Sequence, residues 1–122
     1  MGAAPRSLAL LRSRRLKKSS DFAQVRNDGQ RIAQGCLILN WLACEASGTR
    51  VGVVTAKRVG DAVERNRARR LLREAFRHHR EEIKQPTSIV LVARPSIVRQ
   101  DFEGVRRDFL SALRRAGLRR SE

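Results

Sequence analysis

Apolar residues recur along this chain with two different periods, and the alternation between them outlines one domain. Leu37 to Ala43 (LILNWLA), Arg50 to Lys57 (RVGVVTAK) and Ser88 to Ala93 (SIVLVA) are short runs rich in aliphatic and β-branched residues, which predicts strands. The last run is apolar on both faces, as expected of a central, buried strand. Residues 31 to 33 make a further short strand candidate. Elsewhere the period lengthens. Ala68, Leu71, Leu72, Ala75 and Phe76 fall at i, i+3, i+4, i+7 and i+8, the spacing of one helical face. Phe102, Val105, Phe109, Ala112, Leu113 and Ala116 trace a second such face.

Boundary signals fit these periods. A short helix is expected to begin near Ser19 or Ser20, either of which can cap it, and to stop at Asn27-Asp28-Gly29, with Gly29 able to take positive φ. Asp61 is the expected N-cap of the long helix, and Glu64 three residues later completes a capping box. Pro86 follows the end of that helix, and the last helix opens near Asp101. Residues 45–48 read as a hairpin loop between two strands. The expected order is helix, two or three strands, helix, strand, helix, an α+β sandwich with helices against a sheet. Residues 1–15 are expected to form a basic tail, 16–117 the domain and 118–122 a second tail. No internal repeat or linker divides the 122 residues, enough for one modest core.

Charge changes the picture most. Lys and Arg total 27 against 12 Asp and Glu, a formal charge of +15. Self-repulsion at that density disfavours the compact state unless a polyanion offsets it, so nucleic acid is the expected partner. Arginine outnumbers lysine 23 to 4, and its planar fork suits bidentate contact with phosphate. The charge is concentrated in residues 57–80, which hold nine Lys or Arg against three acids. At 100° per residue, Asn66, Arg70, Arg73 and Arg77 lie opposite the apolar face of the helix. Arg65, Arg69 and Arg73 form a row of like charges where a solvated helix would mix signs, a cost that an external anion relieves. Arg65 stands at the border of the apolar face, where it is placed to line a cleft against the sheet. Asn66 beside it can hydrogen-bond a phosphate, a base or a metal-bound water.

Catalytic groups are scarce. His78 and His79 are adjacent and project about 100° apart, which reads as a solvated helix terminus rather than a base or ligand pair. No carboxylate cluster suggests a two-metal site held by protein, and no phosphate-cradling glycine loop occurs. Cys36 and Cys44, with seven residues between them, lack partners at metal-ligand spacing and fit a reducing cytoplasm. No run approaches a membrane span, and the LALL stretch near the N-terminus is too short for a signal-peptide core. Phe22 serves equally well for base stacking or packing, and Trp41 alternates with Asn40, so only one of those two can face a given groove. These features leave open an RNA-scaffold protein and, less favoured, a self-sufficient nuclease.

The segment RVGVVTAKRVGDAVERNRARRLLREAF (Arg50 to Phe76) closely resembles the signature of the bacterial ribonuclease P protein family, centred on Arg65-Asn66-Arg67. RLKKSSDFAQV (Arg15 to Val25) resembles the family's entry into its N-terminal helix, and SIVLVARPSI with the following helix resembles its last third. The likeness spans residues 14–116. It implies a four-stranded mixed sheet with a left-handed βαβ crossover, against the usual hand. It also implies a role beside a catalytic RNA that removes the 5′ leader of precursor tRNA, with Mg²⁺ bound chiefly by the RNA and one protein per RNA. By this resemblance Lys57, Arg58, Arg65, Asn66, Arg67, Arg69, Arg70 and Arg73 contact RNA, and Arg15, Lys17 and Lys18 add N-terminal contacts. Phe22, Arg26 and Asn40 belong to the leader cleft. Arg26 and Asn40 stand where members often carry aromatics, which implies more electrostatic leader binding.

Overall fold

The last strand in sequence takes an inner place in the sheet. The computed structural model describes residues 15–16, 19–44 and 48–119, and among them a four-stranded mixed sheet packs with three α-helices in the order αβββαβα. The elements are α1 (Ser19–Asp28), β1 (Gln30–Gln34), β2 (Leu37–Ala43), β3 (Arg50–Val54), α2 (Ala62–His79), β4 (Thr87–Ala93) and α3 (Phe102–Ala116). Short 3₁₀ turns at Lys57–Val59, Arg80–Glu82 and Pro95–Arg99 join them. The strand order is β1-β2-β4-β3, with β4 antiparallel to β2 and parallel to β3.

This order overturns the hairpin expected between β2 and β3. β4 lies between them, and Ile89, Val90 and Leu91 are fully buried there. A strand apolar on both faces loses most by standing at an edge, so it takes the inner place. Spanning two strand spacings, roughly 10 Å, is easy for a link of this length. The β3–α2–β4 unit is the parallel crossover to which the resemblance assigns a left-handed turn.

Alternation along the strands makes two cores. Leu37, Leu39, Trp41, Val51, Ile89 and Leu91 face α2 and α3, joining Leu72, Phe76, Val105, Phe109 and Leu113 in the main core. Val90, with Leu42, Val54 and Val92 around it, faces the other way and packs with Leu16, Phe22 and Val25. That second core is small because α1 is only ten residues long. Part of this sheet face is therefore left open.

Local chemistry sets the helix ends. Asp61 caps α2 by accepting from the Glu64 N–H at 2.8 Å while the Glu64 carboxylate accepts from the Asp61 N–H at 3.0 Å, the expected capping box. Asp101 caps α3 through Gly104 N–H, and Gly117, at φ 74, ends it in the left-handed conformation. Gly29 does end α1, but for space rather than positive φ. A Cβ on it would stand 2.2 Å from the Trp41 carbonyl oxygen and 2.5 Å from that of Val25. Ser19 and Ser20 are the first helical residues of α1 instead of preceding it.

Ordered contacts run past both expected domain boundaries. Arg15 bridges Val51 in parallel, and Leu16 N–H donates to Val51 carbonyl at 2.9 Å. At the other end Lys84 N–H donates to the Leu118 carbonyl at 2.8 Å, and Arg119 bridges Ile83.

Candidate nucleic-acid interface

Two grooves gather most of the cationic residues singled out above, one along α2 and one between α1 and the sheet. The first lies along α2. Arg15, Asn66, Arg69, Arg70, Arg73, Glu74 and Arg77 line a hollow of about 510 Å³. Arg15 reaches it because its backbone is fixed to β3, the edge strand beneath α2. Arg69 is held from two sides: its Nη1 donates to Thr55 Oγ1 at 2.7 Å and its Nη2 to Asn66 Oδ1. With Oδ1 taken, Asn66 has its amide N–H donors left for a ligand, a match for phosphate or base acceptors. Glu74 is the single acid of the lining, and it accepts from Arg77 at 2.5 Å. That hydrogen bond, ahead of burial acting the other way and of the charges of Arg77 and His78, holds the Glu74 carboxyl below its usual range. Arg73 titrates below the usual arginine range because of burial first, then the charges of Arg15 and Arg69. Five arginines are thus crowded here around one acid, the arrangement expected of a surface completed by an anion.

The second groove uses the open sheet face. Ala23, Arg26, Asn27, Arg31, Ile38, Asn40, Arg58 and Val92 enclose about 530 Å³ between α1 and the strands. Its floor is apolar at Ile38 and Val92, and arginines from α1, β1 and the turn after β3 stand round it. Asn40 lies across from Arg31 in the sheet and is buried, its Nδ2 donating to the Val90 carbonyl at 3.3 Å. Trp41 takes the opposite face and belongs to the main core. A groove with an apolar floor and guanidinium rims accommodates the bases and phosphates of a single strand.

The remaining candidates fall elsewhere. Phe22 packs over Gly52, where a Cβ would approach its ring to 2.4 Å, so its packing role dominates in this structure. Arg65 lies over the first turn of α2, with Nε donating to the Asp61 carbonyl at 3.4 Å, and lines neither groove. Arg67 turns toward the approach to α3, where its Nη2 donates to the Gln100 carbonyl, which gives this member of the Arg-Asn-Arg triplet a structural task. Lys57 is exposed on the turn after β3. Lys17 and Lys18 lie outside the described residues. Arg31, Asn27 and Thr55 were not singled out from sequence, because only strand pairing and groove geometry bring them to the site.

The histidine pair departs from expectation. His78 is exposed beside Phe102, with ring centroids 5.3 Å apart, but His79 is buried. Arg106 Nε donates to His79 Nε2 at 2.9 Å, leaving Nδ1 to carry the proton shared with Glu82 Oε2 at 2.6 Å. Arg119 closes the network on Glu82 Oε1 at 2.8 Å. His79 thus locks α2 to α3, and its partners reach it only through tertiary packing. The hydrogen bond from His79, opposed by burial and helped by Arg119, lowers the Glu82 pKa from its ordinary 4.5. A depressed carboxylate stabilises the fold above its unfolded pKa, and that stabilisation is lost as pH falls through the folded value. Glu82→Gln should therefore lower the thermal midpoint at pH 7, with the gap to wild type closing below about pH 4.5. A gap that persisted unchanged at pH 3 would count against this network.

Cys36 offers no ready nucleophile. Cys36 is buried, its thiol pushed up to about 12 by burial and then by Asp108. Among the described residues no three His, Cys, Asp or Glu side chains group so as to hold a metal ion. No described helix is long and apolar enough to cross a membrane.

The family model for ribonuclease P matches residues 10–117. The chain belongs to the ribonuclease P protein family. Its role is that of the accessory protein subunit of this endoribonuclease. Ribonuclease P protein components similar to it include that of Syntrophomonas wolfei, 35% identical over 104 residues and covering 85% of this chain and 87% of the relative. That of Gluconacetobacter diazotrophicus is 38% identical over 113 residues, covering 91% and 97%. Among solved structures, the ribonuclease P protein of Thermotoga maritima superposes with a TM-score of 0.75 at 28% identity, covering 83% of this chain and 96% of that one. That of Staphylococcus aureus reaches 0.79 at 25% identity, covering 86% and 96%.

Proposed function

We propose that this subunit docks on the catalytic RNA of ribonuclease P through the α2 groove and holds the 5′ leader of precursor tRNA in the groove between α1 and the sheet. The crowding of Arg15, Arg69, Arg70, Arg73 and Arg77 around a single acid, Glu74, carries the reading. In this reading Arg69, pre-set by Thr55, and the outward amide of Asn66 present donors to phosphate, while Arg26, Arg31 and Arg58 follow the leader backbone. The rim is cationic and no aromatic lines the groove, so leader binding is chiefly electrostatic. Mg²⁺ is bound chiefly by the RNA, which performs the hydrolysis. One protein serves one RNA, in the cytoplasm. By offsetting phosphate repulsion the protein lowers the Mg²⁺ concentration the RNA requires and widens the range of precursors it accepts.

Three incubations test this: precursor tRNA and Mg²⁺ with the protein alone, with the catalytic RNA alone, and with both. Cleavage at low Mg²⁺ should require both. Cleavage by protein alone would overturn the assignment, and RNA binding without any gain in cleavage would favour a scaffold role.

A further inference from the structure

The second concentration of unbalanced charge lies at the far edge of the sheet. α2 covers β3 and β4, whereas α3 covers β1 and β2, so the outer sides of the two helices look away from opposite edges. On α3, Arg107 and Arg114 are exposed and seven residues apart. That spacing puts them within about 20° of one line and roughly 10 Å apart along the helix. Neither has an ion-pair partner among the described residues.

The turn between β1 and β2 brings two more. Arg115 Nη1 donates to the Ala33 carbonyl at 3.1 Å and to Gln34 Oε1 at 2.7 Å. Arg94 Nη1 donates to the Gly35 carbonyl at 3.2 Å. Two acids stand among them and both are engaged: Asp108 accepts from Cys36 N–H at 3.0 Å, and Glu103, one turn before Arg107, accepts from Arg106 at 3.3 Å. Four guanidinium groups therefore stand along α3 and the β1–β2 turn, two of them held by backbone carbonyls, against two carboxylates that are already engaged.

We propose that the α3 face, with the β1–β2 turn, is a second phosphate-binding surface that grips RNA backbone independently of α2. Arginine forks anchored on carbonyls keep further N–H donors for phosphate and lose little freedom on binding, which favours RNA over a flexible acidic peptide. A subunit with cationic faces at two opposite edges can tie together two RNA segments, which contact through α2 alone cannot do. The inference rests on the reading that this protein binds the catalytic RNA.

The test titrates the catalytic RNA with the full chain across a salt series, using Arg107→Gln/Arg114→Gln, Arg70→Gln/Arg73→Gln, the quadruple variant and Lys84→Gln. Glutamine keeps helix propensity close to that of arginine, and circular dichroism checks that each variant folds. The α3 pair should weaken binding about tenfold and flatten the log affinity against log salt slope by about 1.4–1.8, from ~0.7–0.9 per phosphate contact. Its effect should multiply with that of the α2 pair, as expected of separate sites. Lys84→Gln, an exposed charge on the link between α2 and β4, should change the slope by far less than one contact. An α3 pair that binds like wild type while the α2 pair weakens would overturn the second surface and leave an acidic protein as its partner. Should the α2 pair also bind like wild type, the proposed function itself fails.

Discussion

Phe76→Ala should remove about 3–5 kcal/mol of folding stability, read as a fall in the urea midpoint without a change in slope. Phe76 is wholly buried on α2 and belongs to the cluster that holds Leu39, Leu91 and Phe109. Truncating it forfeits transfer free energy and leaves a cavity between helix and sheet that a close-packed core fills only in part. A loss of that size is a large share of the roughly 5–15 kcal/mol available to a domain. Arg70→Ala, exposed on the same helix, should leave the midpoint within about 0.5 kcal/mol. Equal losses from both variants would mean that the faces of α2 have been assigned the wrong way round.

Arg73→Gln should move stability and binding in opposite directions. In the free protein Arg73 is partly buried and faces the charges of Arg15 and Arg69, so neutralising it relieves repulsion and should raise the thermal midpoint. The same substitution removes a phosphate contact. Combined with Arg70→Gln it should weaken binding to the catalytic RNA by one to two orders of magnitude and flatten the salt slope by about 1.4–1.8. Fluorescence melting and an RNA titration on one preparation read both effects. A midpoint that falls together with affinity would show that Arg73 supports the fold rather than an anion site.

Features carried by neighbouring residues were legible in the sequence. The capping box of Asp61 and Glu64, the apolar face from Ala68 to Phe76 and the two-sided burial of residues 88–93 follow from local spacing, and the structure reproduces them. Features that depend on distant pairing were not. Residues 45–48 resemble a hairpin link because nothing nearby records that β4, some forty residues later, will lie between the strands they join. His79 looks solvated until Arg106 and Glu82 are packed against it, and Gly29 looks like a dihedral requirement until the Trp41 carbonyl is seen against it. The basic candidates divided for the same reason. One run of sequence supplies Arg58 to the sheet groove, Arg70 to the helix groove and Arg67 to Gln100, a division made by the turn at Lys57–Val59 and the helical twist.

The inner position of β4 also governs the order in which this chain can assemble. While the protein is being synthesised, β1 and β2 can pair as soon as they emerge, but β3 has no strand beside it and β2 lacks its second neighbour until Thr87–Ala93 has left the ribosome. The sheet therefore closes in a late, concerted step, with the slow kinetics that long-range strand pairing imposes. α2 emerges before that step, its cap and periodicity encoded locally. A nascent chain can thus offer its arginines to RNA before it has a core, and an RNA captured at that stage would neutralise the repulsion against which the sheet must close.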